Sequence, residues 1–142
     1  VGLSWYNGHS PAQRESVQRY LNQQWASGDP AWPRPSLCAA CAQTQGALHG
    51  HLENYDRPET YVPLCITCHL VLHCRFRHRA IWAEYQRRIA EGWQPPPLDQ
   101  REAFGRIRAG ILAGLWPDGL WRPETTDRTY LDTLSMTRVP AG

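Results

Sequence analysis

The sequence predicts a small α+β fold: a β-hairpin and a helix, clasped at their base by four thiolates and embedded in additional α-helices. Three observations carry this. Cys38-Ala39-Ala40-Cys41 and Cys65-Ile66-Thr67-Cys68 are two C-x-x-C pairs separated by 23 residues. Gly46 to Leu52 and Thr60 to Leu64 read as short strands, the second marked by the β character of Tyr61-Val62. Outside the cysteines, apolar residues recur at helical spacing in three stretches.

At 142 residues the chain is expected to form one domain with a modest core. Its segments would be an N-terminal helix and Pro-rich connector (1–35), a cysteine-clasped centre (36–76), a basic helix (77–94), and a C-terminal helix with an irregular tail (95–142). Seven Trp and twelve Pro favour short elements, long connections and aromatic anchors over extended sheet. A net charge of +2 says little about partners, so the local bunching of the fifteen basic residues, all Arg, is more informative. No apolar run approaches the ~20 residues of a membrane span, and no signal-peptide pattern opens the chain. A soluble intracellular protein with no membrane partner is the expectation.

In order, residues 1–9 form an irregular lead-in with an Asn7-Gly8 turn signal. Ser10-Pro11-Ala12-Gln13 starts a helix, with a capping Ser, Pro at the first helical position and Gln three after the Ser. Val17, Tyr20, Leu21 and Trp25 make its apolar stripe, which ends before Gly28-Asp29-Pro30, and Arg14 and Arg19 are expected on its solvated face. A connector from Pro30 to Pro35 leads into the first cysteine pair. The hairpin turns between Asn54 and Glu59, and a helix carrying Cys68, His69 and His73 follows the second strand. Ile81, Trp82, Tyr85 and Ile89 mark the next helix, stopped at Gly92. Pro95-Pro96-Pro97 reads as a stiff spacer. Gln100 to Leu115, with Phe104, Ile107, Ile111 and Leu115 on one face, is a further helix candidate. The last 27 residues, with Trp116 and Trp121, carry turn chemistry and are expected to wrap the surface or a partner subunit, as in a homodimer.

Four cysteines in C-x-x-C pairs suit a tetrahedral zinc ion held by Cys38, Cys41, Cys65 and Cys68. A disulfide framework is the alternative, but nothing else points to secretion. The fifth cysteine, Cys74, is expected to pack as a small apolar side chain. Structural zinc supplies on the order of 10–16 kcal/mol, comparable with the roughly 5–15 kcal/mol stability of a typical domain. The segment therefore needs its metal to hold its shape.

A second set of ligand types lies on the same helix. His69 and His73 are four apart, so both imidazoles face one way and can share one ion. At roughly 100° per residue they look about 90° away from the Cys65/Cys68 direction. The expectation is one closed metal site that holds the fold and one open site that does chemistry.

The run His51-x-Glu53-Asn54-Tyr55-x-x-Pro58, then Leu64-Cys65-x-x-Cys68-His69-x-x-x-His73, preceded by Cys38-x-x-Cys41, resembles the HNH (ββα-metal, His-Me finger) endonucleases. It is most similar to small phage and bacterial members with a four-cysteine zinc site, and the resemblance spans about residues 36–76. It implies a ββα-metal, treble-clef-like core acting on DNA in the cytoplasm of a bacterial or phage-infected cell. It further implies that His51 activates water while His69 and His73 hold a catalytic divalent ion such as Mg2+, Mn2+ or Ni2+, beside the structural Zn2+. A neutral imidazole can accept water's proton near neutral pH, and an ion with open positions acts as Lewis acid on a phosphodiester.

The chain departs from that pattern at two positions. Gly50 stands where a further Asp or His ligand usually precedes the base, and Thr60 falls near the usual orienting Asn. Glu53 can complete the metal site. His49 shares a strand face with His51 and can serve as ligand or alternative base. Asn54 can orient His51 if the turn begins there. The plainer alternative has His51 bonded to backbone, with His69 and His73 merely packing.

Arg75, Arg77 and Arg79, with Arg87 and Arg88 on the next helix, lie close in sequence to the expected ion and are candidate DNA-phosphate contacts. Two other functions fit the same residues. One is a catalytically inactive zinc-containing DNA-binding module; the other is a zinc-stabilised protein-interaction domain presenting Trp116 and Trp121.

Overall fold

The computed structural model describes residues 3–105. The helix candidate beyond residue 105, and the tail with Trp116 and Trp121, lie outside the described residues. Along the chain run α1 (Pro11–Ser27), β1 (Leu48–His51), a 3-10 turn (Pro58–Thr60), β2 (Val62–Cys65), α2 (Ile66–His73), α3 (Arg79–Ala90) and α4 (Gln100–Ala103). The fold is small α+β, with β1 and β2 paired as a two-stranded antiparallel hairpin. No helix among the described residues is long and apolar enough to cross a membrane. The residues form two compact units, 3–34 with 51–62, and 35–50 with 63–105.

In the first unit, α1 starts as its sequence requires. The Ser10 side chain accepts the Gln13 N–H at 3.1 Å, Pro11 opens the first turn, and Gly28 ends the helix with a left-handed φ of 77°. The lead-in is more ordered than expected. Tyr6 and His9 exchange backbone hydrogen bonds of 3.1 and 2.9 Å across Asn7 (φ 49°) and Gly8 (φ 80°), a tight turn with both central residues left-handed. Arg14 is buried rather than solvated. Its guanidinium lies 5.3 Å from the Tyr6 ring and 5.4 Å from the Tyr55 ring, and it donates to the Ser4 carbonyl. A planar cation can leave water when aromatic faces and a carbonyl receive it. The connector after α1 is pinned by aromatic contacts: Trp32 stacks on Tyr61 at 6.1 Å, and the Tyr61 hydroxyl donates to the Pro33 carbonyl.

In the second unit, α2 packs against α3 and α4. The core gathers Leu64, Ile66, Leu72, Trp82, Tyr85, Ile89 and Trp93, all at most 2 % exposed. Trp82, Tyr85 and Ile89 are the buried stripe of α3, while Ile81 is only half-buried. Pro95-Pro96-Pro97 is not a spacer but a strap along the first cysteine loop. Gln43 Nε2 donates to the Pro95 carbonyl at 3.0 Å, Gln94 Nε2 to the Cys41 carbonyl at 2.7 Å, and the Ala47 N–H to the Leu98 carbonyl at 2.8 Å. Proline cannot donate, but the Pro95 carbonyl accepts from the loop, while Gln94 just before the prolines donates to it. Gly46 permits the close approach: with φ at 74°, a Cβ there would lie 2.6 Å from the Leu98 oxygen.

Candidate metal centres

The four-cysteine cluster is built from two local devices. Cys38 and Cys41 sit on a tight loop in which Ala42 N–H bonds the Cys38 carbonyl at 2.9 Å and the Cys41 N–H points at Cys38 Sγ, 3.5 Å away. Cys65 ends β2 and is the N-cap of α2, with Cys68 in the first helical turn. The amides and positive dipole end of that turn favour thiolate. All four sulfurs lie within 4.8 Å of one another, the cysteines are buried, and none is in a disulfide. Cys41 Sγ and Cys65 Sγ are 3.7 Å apart. Sulfurs bound at about 2.3 Å around a tetrahedral zinc ion would be about 3.8 Å apart, so the donor set fits zinc in type, number and spacing.

Ionisation in the cage is strongly coupled. Hydrogen bonds from the Cys41, Cys65 and Cys68 thiols pull the Cys38 thiol well below its ordinary range. Cys65 is pushed up by its interactions with Cys38 and Cys41, and Cys68 first by burial and then by the same neighbours. Several negative sulfurs cannot share a dry pocket without a cation. Tyr85, fully buried on α3, places its hydroxyl 3.1 Å from Cys68 Sγ. Burial, then the charge of the nearby sulfurs, raises its hydroxyl well above the ordinary range, so it keeps a proton that it can donate to a metal-bound Cys68 sulfur. The sequence showed Tyr85 only as a member of an apolar stripe; that a Tyr rather than a Phe occupied it was the available signal.

Three histidines meet in the same unit. His69 and His73 point their Nε2 atoms at each other, 2.9 Å apart, and both rings are half-buried. Imidazole nitrogens bound at about 2.0–2.1 Å to one ion in neighbouring positions lie about 2.9–3.4 Å apart, so the spacing fits a shared divalent ion. His49 approaches from β1, but its Nδ1 meets Nδ1 of His69, at 3.0 Å. That is the opposite edge of the ring from the Nε2 pair. His49 therefore suits the role of holding His69, not that of a further ligand to the same ion. Burial lowers the His49 pKa, which keeps its ring neutral and able to accept the His69 Nδ1 proton.

The first unit contains a polar cluster around His51. His51, 1 % exposed, bonds through Nε2 to Glu53 Oε2 at 2.5 Å. The same oxygen accepts from the Tyr6 hydroxyl at 2.5 Å, and Asn7 Nδ2 donates to Glu53 Oε1 at 3.3 Å and to the Glu53 carbonyl at 3.2 Å. Glu53 is thus engaged in orienting His51, in place of the metal ligation expected of it. Asn54 does not orient His51: its side chain accepts the Asp56 N–H at 2.9 Å and shapes the turn. Thr60 bonds the Arg57 carbonyl. Tyr6 and Asn7 were invisible as site residues; the Asn7-Gly8 pair announced a turn but not what it would face.

The candidate phosphate-binding arginines divide. Arg75 is fully buried, its guanidinium donating to the Leu72 carbonyl at 3.0 Å and lying 4.4 Å from the Phe76 ring, so no phosphate can reach it. Arg87 pairs with Glu84 and Glu91, and Arg88 with Glu84. Those two cations hold the Glu84 carboxyl down to about 2. Arg77 and Arg79 are exposed. No protein-family model, no curated protein and no solved structure matches the chain.

Proposed function

We propose that the protein is a metal-dependent DNA endonuclease, with a ββα-metal, treble-clef-like core in which structural zinc on Cys38, Cys41, Cys65 and Cys68 locks β2 to α2. The observation that carries this reading is the His69–His73 pair: two Nε2 atoms 2.9 Å apart on half-buried rings of the helix that the cysteines clasp. A sealed all-sulfur site and an accessible imidazole pair on one eight-residue helix divide into structural and chemical roles. A divalent ion such as Mg2+, Mn2+ or Ni2+ held there would act as Lewis acid on a phosphodiester and stabilise the leaving oxygen.

His51, two residues beyond His49 on β1, accepts the proton of the attacking water. Glu53 fixes its ring. Arg77 and Arg79, both exposed and near α2 in sequence, contact flanking phosphates without reading sequence. A second reading, a zinc-containing DNA-binding module without catalysis, is favoured by Gly50, which has no side chain where the resemblance calls for a ligand.

Supercoiled-plasmid nicking with added Mg2+, Mn2+ or Ni2+ separates the two. The endonuclease reading expects divalent-dependent nicking by wild type, abolished in His51→Ala and His69→Ala. Equal nicking by all three proteins would trace the activity to contamination and refute the assignment. DNA binding without nicking by wild type would establish the second reading instead.

A further inference from the structure

We infer that the Tyr6–His9 turn is a positioning device for His51, acting through Glu53, with Tyr6 and Asn7 as its working side chains. The inference rests on the proposed role of His51 as base, and deepens it. A carboxylate two residues from a histidine on a loop edge can rotate away. Here three hydrogen bonds from two side chains hold Glu53: the Tyr6 hydroxyl on Oε2, Asn7 Nδ2 on Oε1, and the same amide on its backbone carbonyl. The oxygen that Tyr6 binds is also the one that meets His51 Nε2.

The turn is itself anchored to the segment it clamps. His9 Nε2 accepts the Tyr55 N–H at 3.3 Å while its Nδ1 meets Gln13 Oε1 at 2.8 Å, and Gln13 Nε2 donates to Asp56 at 2.7 Å. Arg14 lies against both Tyr6 and Tyr55, on either side of the joint. Contacts from residues 6, 7, 9, 13 and 14 thus run in register along residues 53–56. The left-handed pair Asn7-Gly8 fixes the angle at which Tyr6 and Asn7 are presented.

The chemical effect is on one tautomer. An ionised Glu53 can only accept, so it selects the His51 ring with its proton on Nε2 and the lone pair on Nδ1. Tyr6 and Asn7 touch neither substrate nor ion in this scheme. They keep the carboxylate where it makes that selection, as in other sites where a carboxylate fixes an imidazole.

The test uses the full chain with histidine-labelled 15N spectra at one fixed pH at which the ring is neutral, the His51 signals being assigned with His51→Ala. Wild type should show a single Nε2–H tautomer for His51. Tyr6→Phe, which removes one oxygen, should give mixed tautomers and lower the nicking kcat about tenfold, short of the roughly hundredfold expected of a base displaced by an ångström. KM, zinc content and melting midpoint should stay unchanged. If Tyr6→Phe folds poorly, Asn7→Gly removes the amide at a φ that glycine accepts and should move the same signals. A single tautomer with undiminished kcat in the variant would overturn the positioning role while leaving the endonuclease reading intact. A tautomer that responds in a protein that never nicks would uphold the positioning role and remove the endonuclease reading instead.

Discussion

The Tyr85 hydroxyl lies 3.1 Å from Cys68 Sγ, which ties α3 to the sulfur cage by a side chain that is itself fully buried. The contact makes α3 part of the candidate zinc site although it contributes no sulfur. Tyr85→Phe keeps the ring that packs edge-on against Trp93 at 5.2 Å and deletes only the O–H···S bond. A hydrogen bond to a charged group is worth about 1.5–3 kcal/mol, so zinc release to a chelator should accelerate at least about tenfold. Unchanged release would show that the bond contributes nothing to metal retention.

Gly46 is the point where the cysteine loop and the proline strap nearly touch. Gly46→Ala places a methyl 2.6 Å from the Leu98 oxygen on a backbone with φ at 74°. Left-handed strain alone costs about 1–3 kcal/mol, and the backbone of residues 97–98 would also have to shift. Urea unfolding should show a lower midpoint. Gly28→Ala, with φ at 77° but open space around it, is the control that isolates strain from collision.

The arginines near α2 should sort by burial rather than by charge. Arg77→Ala and Arg79→Ala should weaken DNA binding evenly across sequences, each reducing the salt slope of log K by about 1. Arg75→Ala should instead lower the melting midpoint by the equivalent of about 2 kcal/mol, because it removes a buried stack on Phe76 and a donor to the last turn of α2. A changed salt slope in Arg75→Ala at full stability would contradict this division.

Glu84 provides a pH signature confined to α3. Hydrogen bonds from Arg87 and Arg88 hold its carboxyl down to about 2, against an ordinary 4.5. The folded form therefore binds its proton less readily than the unfolded chain. Its contribution is complete above about pH 4.5 and is lost as the pH falls from there through about 2. Comparing wild type with Glu84→Gln in urea, any stability difference should persist at pH 6 and vanish near pH 2. The surface position and salt screening keep it small. A difference that grows on acidification would reverse the assignment.

What could be read from the sequence was local. Each cysteine pair is set within one turn of chain, and Ser10-Pro11 starts α1 by caps that lie side by side, so the cage and α1 were legible. The His69/His73 pairing follows from one helical turn. The His51–Glu53 contact was half visible, since residues two apart can share a face, but ligation and orientation use the same atoms and only coordinates distinguish them. Tyr6 meets Glu53 across 47 residues, and no spacing rule reaches that far. Arg14 and Arg75 were misplaced for another reason: charge alone suggests solvent, whereas each guanidinium here has an aromatic face and a carbonyl waiting inside. The prolines at 95–97 promised rigidity but could not name the loop whose Gln43 donates to the Pro95 carbonyl.

Cys65 closes β2, caps α2 and belongs to the sulfur cluster. Four and eight positions downstream on the same short helix stand His69 and His73. Stripping the sulfurs of their ion would therefore unlatch the helix start and scatter both imidazoles, so metal loss at the cysteines alone would disable the histidine pair. The order of the two pairs along one helix thus makes the imidazole geometry subordinate to the sulfur cage.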